Sequence, residues 1–230
     1  MADYRARLDA IKSGETQEEY WARLSVTLEK DMGLQYGIDL KSALHALFDM
    51  DSSKVKILMT RSKDTNIPIS SRANVAKVNG ADVFFSIHYN SNNKDWVRGP
   101  EIILRSEANG NINLKEDLAF ADRIQSVLDA RVPDAPVKVA NPNFKDELPD
   151  YRGIRQYADH PTGVDNDTSL GNSQTGTCSH ACLAEIEFIT ATAVEQSIVS
   201  GKSSADVRRS LCQGFATAIR NDIHARKGER

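Results

Sequence analysis

The sequence predicts a single α/β domain, built on a twisted and mostly parallel sheet that is flanked by helices. Two runs, 81–90 and 181–189, are apolar, rich in β-forming residues and too short for helices, which is typical of strands buried on both faces. A strand–helix–strand rhythm over 55–90 favours parallel βαβ units. A chain of 230 residues can enclose one sizeable core, so we expect one domain rather than two.

Composition places the chain among ordinary soluble globular proteins. Hydrophobic residues make up 40% of it and charged residues 27%, and the formal net charge is -3. The Lys and Arg residues are dispersed rather than gathered on one face, so we expect no nucleic-acid partner. No segment approaches the ~20 apolar residues of a membrane span, and the first thirty residues lack the apolar run of a signal peptide.

The N-terminal segment is predicted to be helical. One helix is expected at 3–12, and a capping box of Thr16 and Glu19 begins a second helix that continues to residue 28. We interpret residues 1–28 as a helical insertion or hairpin in front of the main domain. Apolar residues at helical spacing then predict a third helix at 31–48, with Glu29 just before it or in its first turn.

His88 is the first candidate functional residue, because it ends a predicted buried strand. A strand at 55–60 and a helix at 71–78, stopped by Asn79-Gly80, precede this strand. In open α/β sheets, ligands bind at the carboxyl ends of the strands. A hydrogen-bonded structural histidine is the alternative interpretation.

The second half of the chain adds three predicted strands and two helices. The strand at 181–189 carries Glu185 and Glu187, which a two-residue period places on the same face. Two carboxylates so close together raise the pKa of one of them where both are desolvated. The other predicted elements are strands at 99–104 and 152–155, helices at 114–130 and from Ser203, loops at 133–149 and 159–177, and a basic tail at 225–230.

Several short motifs follow one another along the chain. They are Glu29-Lys30-Asp31, Thr60-Arg61 with Asp64 and Arg72, Ala81-Asp82, Ser86-Ile87-His88-Tyr89-Asn90, Arg152-Gly153-Ile154-Arg155 and Leu183-Ala-Glu185-Ile-Glu187-Phe188-Ile189. In this order, over most of residues 29–200, they resemble the zinc-dependent N-acetylmuramoyl-L-alanine amidases of the amidase_3 type. The resemblance implies a phosphorylase/hydrolase-like sheet, with residues 29–224 as the catalytic domain.

The resemblance also implies a site and a substrate. It makes Glu29 and His88 zinc ligands and Glu185 the catalytic carboxylate, and zinc does take nitrogen and oxygen ligands while leaving a position open for water. The implied substrate is peptidoglycan, cut at the amide between N-acetylmuramic acid and L-alanine. Further substrate contacts are expected from Arg152, Arg155, Asn90 and Glu187, with Arg98 as another candidate. The arginines are equally explained as solvated or ion-paired residues.

The chain also departs from the family pattern. The family's first strand ends in Asp-Pro-Gly-His-Gly-Gly and supplies the first zinc ligand, and the sequence has no such motif, as though it begins downstream of that strand. A catalytic zinc site has three protein ligands, so His180 is our first candidate for the missing one. The cluster around it, Cys178 to Cys182, is alternatively a structural zinc site, a pair of buried thiols or a disulfide. Glu187 replaces a family Gly and adds a charge beside Glu185.

Three hypotheses of different classes follow. The first is an active zinc amidase that lacks the N-terminal strand, and the second is a catalytically impaired homologue that binds peptidoglycan or a cell-wall partner. The third is a plain α/β domain with a chance resemblance. Because peptidoglycan lies outside the cytoplasmic membrane, we expect the first two to act in the periplasm or outside the cell, as an autolysin or a phage lysin.

Overall fold

The computed structural model describes residues 17–48, 55–91, 97–107, 110–132, 154–157, 178, 180–199 and 201–228. The predicted helix at 3–12, the capping box at Thr16 and the loops at 133–149 and 159–177 lie outside these residues. No helix in the described part of the chain is both long and apolar enough to cross a membrane.

Helices and strands follow one another mostly in pairs along the described chain. The longer helices are α1 (Gln17–Leu47), α2 (Ile69–Asn79), α3 (Leu114–Arg131) and α5 (Ser204–Gly228). A short helix, α4 (Thr192–Val194), continues as a π-helical turn (Glu195–Val199). The strands are β1 (Val83–Asn90), β2 (Glu101–Arg105), β3 (Ile154–Tyr157) and β4 (His180–Phe188).

The four strands form one mixed sheet in the order β1-β4-β2-β3. β1 is parallel to β4 and β2 is parallel to β3, whereas β2 and β4 are antiparallel. The carboxyl ends of β1 and β4 therefore lie beside the amino end of β2. The predicted α/β class is confirmed, and two of the three strand pairings are parallel, as expected.

The predicted strand at 55–60 is wrong. Residues 55–59 belong to no helix or strand. Side chains hold this region in place instead: Lys56 Nζ donates to Asn79 Oδ1 at 2.7 Å, Arg61 donates to the carbonyl of Lys30, and Lys30 pairs with Asp64. An apolar run becomes a strand only where a neighbouring strand accepts its backbone hydrogen bonds, so the predicted βαβ unit over 55–90 does not form.

Two of the predicted N-terminal helices are one continuous helix. α1 runs through residues 28–31, where the sequence analysis placed a break. Met32, Tyr36, Leu40 and Leu44 lie four residues apart and are buried, so one apolar stripe continues along the helix. At the other end of the chain, α5 extends to Gly228, into the segment predicted as a basic tail.

The core lies between the sheet and the helices packed on it. Phe85 of β1 meets Phe120 of α3 and Phe215 of α5, with ring centroids 6.1 and 5.3 Å apart in edge-to-face geometry. Ile102 and Ile186 are fully buried in the neighbouring strands. These contacts fix the sheet, so the residues at its strand ends have defined positions.

Gly214 marks a close crossing of α5 and α3. A Cβ at this position would lie 2.5 Å from Val127 Cγ1 and 2.8 Å from Arg131 Nε. We expect Gly214→Ala to lower the free energy of unfolding by up to about 2 kcal/mol, because an overpacking cost of about 1–3 kcal/mol outweighs a helix-propensity gain of about 1 kcal/mol. Urea denaturation measures this, with Gln213→Ala on the exposed face as the control. A stabilised Gly214→Ala variant would contradict the close crossing.

Candidate active site

Helix α1 approaches the end of β1 closely, and this approach builds the candidate site. A Cβ on Gly33 would lie 3.3 Å from the carbonyl oxygen of Ile87, a distance that leaves little room for a side chain. One turn further along α1, the hydroxyl of Tyr89 donates to that of Tyr36 at 3.2 Å. Both phenols are buried, and burial raises the pKa of each. Helix and strand are therefore held in one register.

That register brings Glu29 and His88 together. Glu29 Oε1 lies 2.7 Å from His88 Nδ1, and the other ring nitrogen lies 3.1 Å from Ser86 Oγ. The two side chains are 31% and 26% exposed, so solvent and ligands can reach the pair. Two residues that are 59 positions apart in the chain thus place one oxygen and one nitrogen donor side by side.

Glu185 lies next to His88 in the sheet. The two residues are paired directly across β4 and β1, so their side chains leave the same face of the sheet. Glu185 is partly exposed, and its Oε2 atom is buried. The three residues expected to carry the chemistry therefore occupy one corner of the fold, where α1 meets the carboxyl ends of two parallel strands.

Asn90 and Glu101 complete this corner. Asn90 Nδ2 donates to Glu101 Oε2 at 3.2 Å, and Asn90 Oδ1 accepts a hydrogen bond from the amide of Ser91 at 2.8 Å. Glu101 is the first residue of β2, is 2% exposed and pairs directly with Glu185. Sequence reasoning missed Glu101. The available signal was a carboxylate standing at the start of an apolar strand.

Glu187 is fully buried, although it was predicted to face the site beside Glu185. Its carboxylate accepts hydrogen bonds from the Arg98 guanidinium at 3.0 Å, from the Gly99 amide at 2.8 Å and from the Phe188 amide at 2.9 Å. The register of β4 against β1 shifts between His88 and Asn90, so the simple two-residue period does not continue to the strand end. Glu187 thus anchors the chain that enters β2.

The Arg98–Glu187 pair gives a stability prediction. Arg98→Met leaves a buried carboxylate without this cation, and we expect the free energy of unfolding to fall by about 2–4 kcal/mol. The double variant Arg98→Met/Glu187→Met removes both charges and should recover most of that loss. Chemical denaturation of both variants measures the difference. A double variant as unstable as the single one would contradict the assignment.

Of the two arginines predicted to contact substrate, only Arg155 lies among the described residues. Arg152 lies outside the described residues. Arg155 is in β3, where its backbone pairs with Ile103 of β2. Their predicted contacts with substrate therefore stay a prediction.

The structure contradicts His180 as a third zinc ligand. His180 starts β4 opposite Val83, and five residues of extended strand, roughly 16 Å, separate it from Glu185. Its Nδ1 atom lies 2.9 Å from Asp222 Oδ2 of α5, and both side chains are buried. His180 and Glu185 are close in sequence but far apart in space, because each residue of an extended strand adds about 3.3 Å to the distance. Cys178, Cys182 and Cys212 are buried free thiols, which agrees with the buried-thiol alternative and not with a disulfide.

The amino end of β4 is a structural region rather than part of the site. Asp117 of α3 accepts hydrogen bonds from the amide of Ala181 at 2.7 Å and from Asn111 Nδ2 at 2.8 Å. Burial raises the pKa of Asp117 to about 6, although both hydrogen bonds oppose this rise. These contacts tie α3 to the start of β4.

The donor set at the corner fits zinc in part. A histidine nitrogen and a glutamate oxygen converge there, and both are zinc ligands. A catalytic zinc site needs three protein ligands, and among the described residues no group of three His, Cys, Asp or Glu side chains is placed to hold a metal. Glu29 and His88 therefore supply two donors of types that zinc accepts, one fewer than a catalytic zinc site uses.

The Glu29–His88 pair and a second carboxylate, that of Glu185, thus lie together toward the carboxyl ends of two parallel strands. The sequence matches the Amidase_3 family model, described as N-acetylmuramoyl-L-alanine amidase, over residues 10–220. The chain belongs to this family of peptidoglycan hydrolases. A comparison with curated protein sequences finds no match.

Solved amidase structures share the fold. The catalytic domain of CwlV from Bacillus (Paenibacillus) polymyxa var. colistinus matches at 20% identity with a TM-score of 0.58, over 85% of each chain. An N-acetylmuramoyl-L-alanine amidase from Clostridium difficile 630 matches at 22% and 0.59, over 85% of this chain and 84% of that chain. AmiC2 of Nostoc punctiforme matches at 18% and 0.57, again over 85% and 84%. At these identities the likeness establishes the fold.

Proposed function

We propose that this protein hydrolyses the amide bond between N-acetylmuramic acid and L-alanine in peptidoglycan, with zinc as its cofactor. The observation that carries the proposal is the convergence of Glu29, His88 and Glu185 at one corner of a fold that belongs to the amidase family. These are the residues that the family motifs single out. They come from one helix and two separate strands.

Glu185 is the proposed general base and acid. Its position on β4, beside His88, puts a carboxylate at the strand ends where the substrate would lie. A carboxylate there accepts a proton from the attacking water and passes it to the departing amine of L-alanine. Proton transfer of this kind is essential, because an amine leaves poorly as an anion.

Glu29 and His88 are the proposed zinc ligands in this chain. A bound zinc ion would polarise the carbonyl of the scissile amide. Because the pair is partly exposed, the site is open to a ligand. The contact between Tyr36 and Tyr89 holds α1 where Glu29 can reach His88. The third protein ligand would come from outside the described residues.

The proposed substrate sets where the protein works. Peptidoglycan lies beyond the cytoplasmic membrane, so we place the activity in the periplasm or outside the cell. Asn90, Arg152 and Arg155 are the proposed substrate contacts. Asn90 lies two residues after His88 on the same strand, and Arg155 lies in β3, two strands away from β4.

The proposal is tested by following solubilisation of purified cell walls. Protein loaded with zinc should release soluble fragments, a chelator should stop the release, and added zinc should restore it. The matched control is Glu107→Gln, which changes an exposed carboxylate just after β2 and should leave the release unchanged. Zinc-loaded, folded protein that releases nothing would overturn the proposal.

A second function is favoured by the incomplete ligand set among the described residues. A homologue that cannot hold zinc would still bind peptidoglycan or a cell-wall partner at this corner. Co-sedimentation with insoluble cell walls distinguishes the two functions. Binding without any zinc-restored release supports the binding role, and release that depends on Glu185 excludes it.

A further inference from the structure

Three acidic or basic residues form one row across the sheet at the candidate site. His88 of β1 pairs with Glu185 of β4, and Glu185 pairs in turn with Glu101 of β2. Directly paired residues leave the same face of a sheet, with Cβ atoms about 4.5–5.5 Å apart. Glu185 therefore has an imidazole on one side and a second carboxylate on the other.

Glu101 is held in place from across the sheet. The side chains of Asn90 on β1 and Glu101 on β2 meet across the intervening strand β4, where Asn90 Nδ2 donates to Glu101 Oε2 at 3.2 Å. The other end of the Asn90 amide is engaged by the Ser91 backbone, so its orientation is defined. At 2% exposure, the Glu101 side chain lies in a region of low dielectric, where electrostatic interactions with its neighbours are strong.

We propose that Glu101 is a positioning residue of the candidate active site, which turns the Glu185 carboxylate toward His88 by charge repulsion and fixes Asn90 across β4. Like charges directly opposite each other destabilise a sheet. Residues that serve catalysis often carry such a cost. The consequence for catalysis rests on the proposed amidase function, whereas the coupling between the two carboxylates does not.

A double-mutant cycle tests the coupling without any activity measurement. Glu101→Gln keeps the size of the side chain and an oxygen acceptor for Asn90 but removes the charge. Its effect on Tm should be more favourable in the wild-type background than in a Glu185→Gln background, by about 1–4 °C. The control cycle pairs Glu107→Gln with Glu185→Gln and should be additive, because Glu107 is exposed and outside the row.

An activity measurement tests the positioning role. In an active protein, Glu101→Gln should lower kcat roughly tenfold with little change in KM, because the catalytic carboxylate is misplaced while the substrate still binds. Additive Tm effects, or a folded Glu101→Gln variant with wild-type kcat, would overturn the proposal. If the wild-type protein is inactive but the cycle is non-additive, the carboxylate pair stands and the proposed amidase function fails.

Discussion

Replacing Glu185 by Gln should lower the rate of amide hydrolysis by about 10²- to 10⁴-fold, the range expected when a general acid–base group is lost. The amide side chain has the size of the carboxylate but cannot accept a proton from water. Because Glu185 is partly exposed and Gln has nearly the same size, the variant should stay folded and keep its affinity for zinc. Steady-state release of stem peptides, measured on zinc-loaded protein, gives the ratio.

The matched control for this prediction is Glu187→Gln. Glu187 is also a glutamate near the end of β4, but its carboxylate is buried against Arg98 and Gly99. Its loss should act mainly on stability, with hydrolysis by the folded fraction close to wild type. Equal losses of hydrolysis in both variants at equal folded fraction would contradict the distinct roles given to the two residues.

Removing His88 should abolish stoichiometric zinc binding. Zinc held by a Glu–His pair loses one of its few ligands in His88→Ala, and we expect the affinity to fall by at least the 10- to 100-fold seen when only a supporting residue is removed. Glu29→Gln should have a similar effect, since a neutral amide is a poor zinc ligand. Competition with a chromogenic chelator measures the zinc affinity of each purified variant.

His224→Ala is the control for zinc binding. His224 is exposed on α5 and lies beside Leu47 and Phe48 at the end of α1, so its loss should leave the zinc affinity unchanged. His88→Ala with wild-type zinc affinity would remove His88 from the metal site. His88 would then be a structural partner of Glu29, the alternative that the sequence left open.

The sequence pattern correctly predicted those helices and strands whose signals lie within a few neighbouring residues. The apolar run that becomes β1, the stripe that becomes α3 and the Asn79-Gly80 stop of α2 all carry their signals within a few residues. Gly80 adopts a positive φ of 57°, as a glycine at a helix end often does. The motifs around His88 and Glu185 likewise lie within single strands, so they were visible without the fold.

The wrong predictions concern segments whose structure depends on contacts with residues distant in the sequence. Residues 55–60 have the composition of a strand, but ladder formation depends on a neighbour that the local sequence does not specify. A helix break was predicted before residue 31, but α1 continues there, and the buried residues Met32 and Tyr36 belong to its apolar stripe. His180 shows the same limit, because its partner Asp222 is 42 positions away in another element.

Register decided which residues share the candidate site. Glu101 lies 84 positions before Glu185 in the chain and becomes its neighbour only when β2 pairs with β4. Glu187 was placed beside Glu185 by a two-residue period, and the irregular register at the end of β4 made that period a poor guide. A regular alternation rule cannot anticipate a bulge, since the extra residue depends on the partner strand.

The proposed amidase activity is tested by identifying the new chemical ends that form when the zinc-loaded protein digests purified peptidoglycan. Mass spectrometry of the products, combined with labelling of free amino groups, identifies them. We predict free L-alanine amino termini on released stem peptides, together with glycan strands whose N-acetylmuramic acid carries a free lactyl carboxylate. New reducing sugar ends or cleavage within the stem peptide, without free L-alanine termini, would contradict the account.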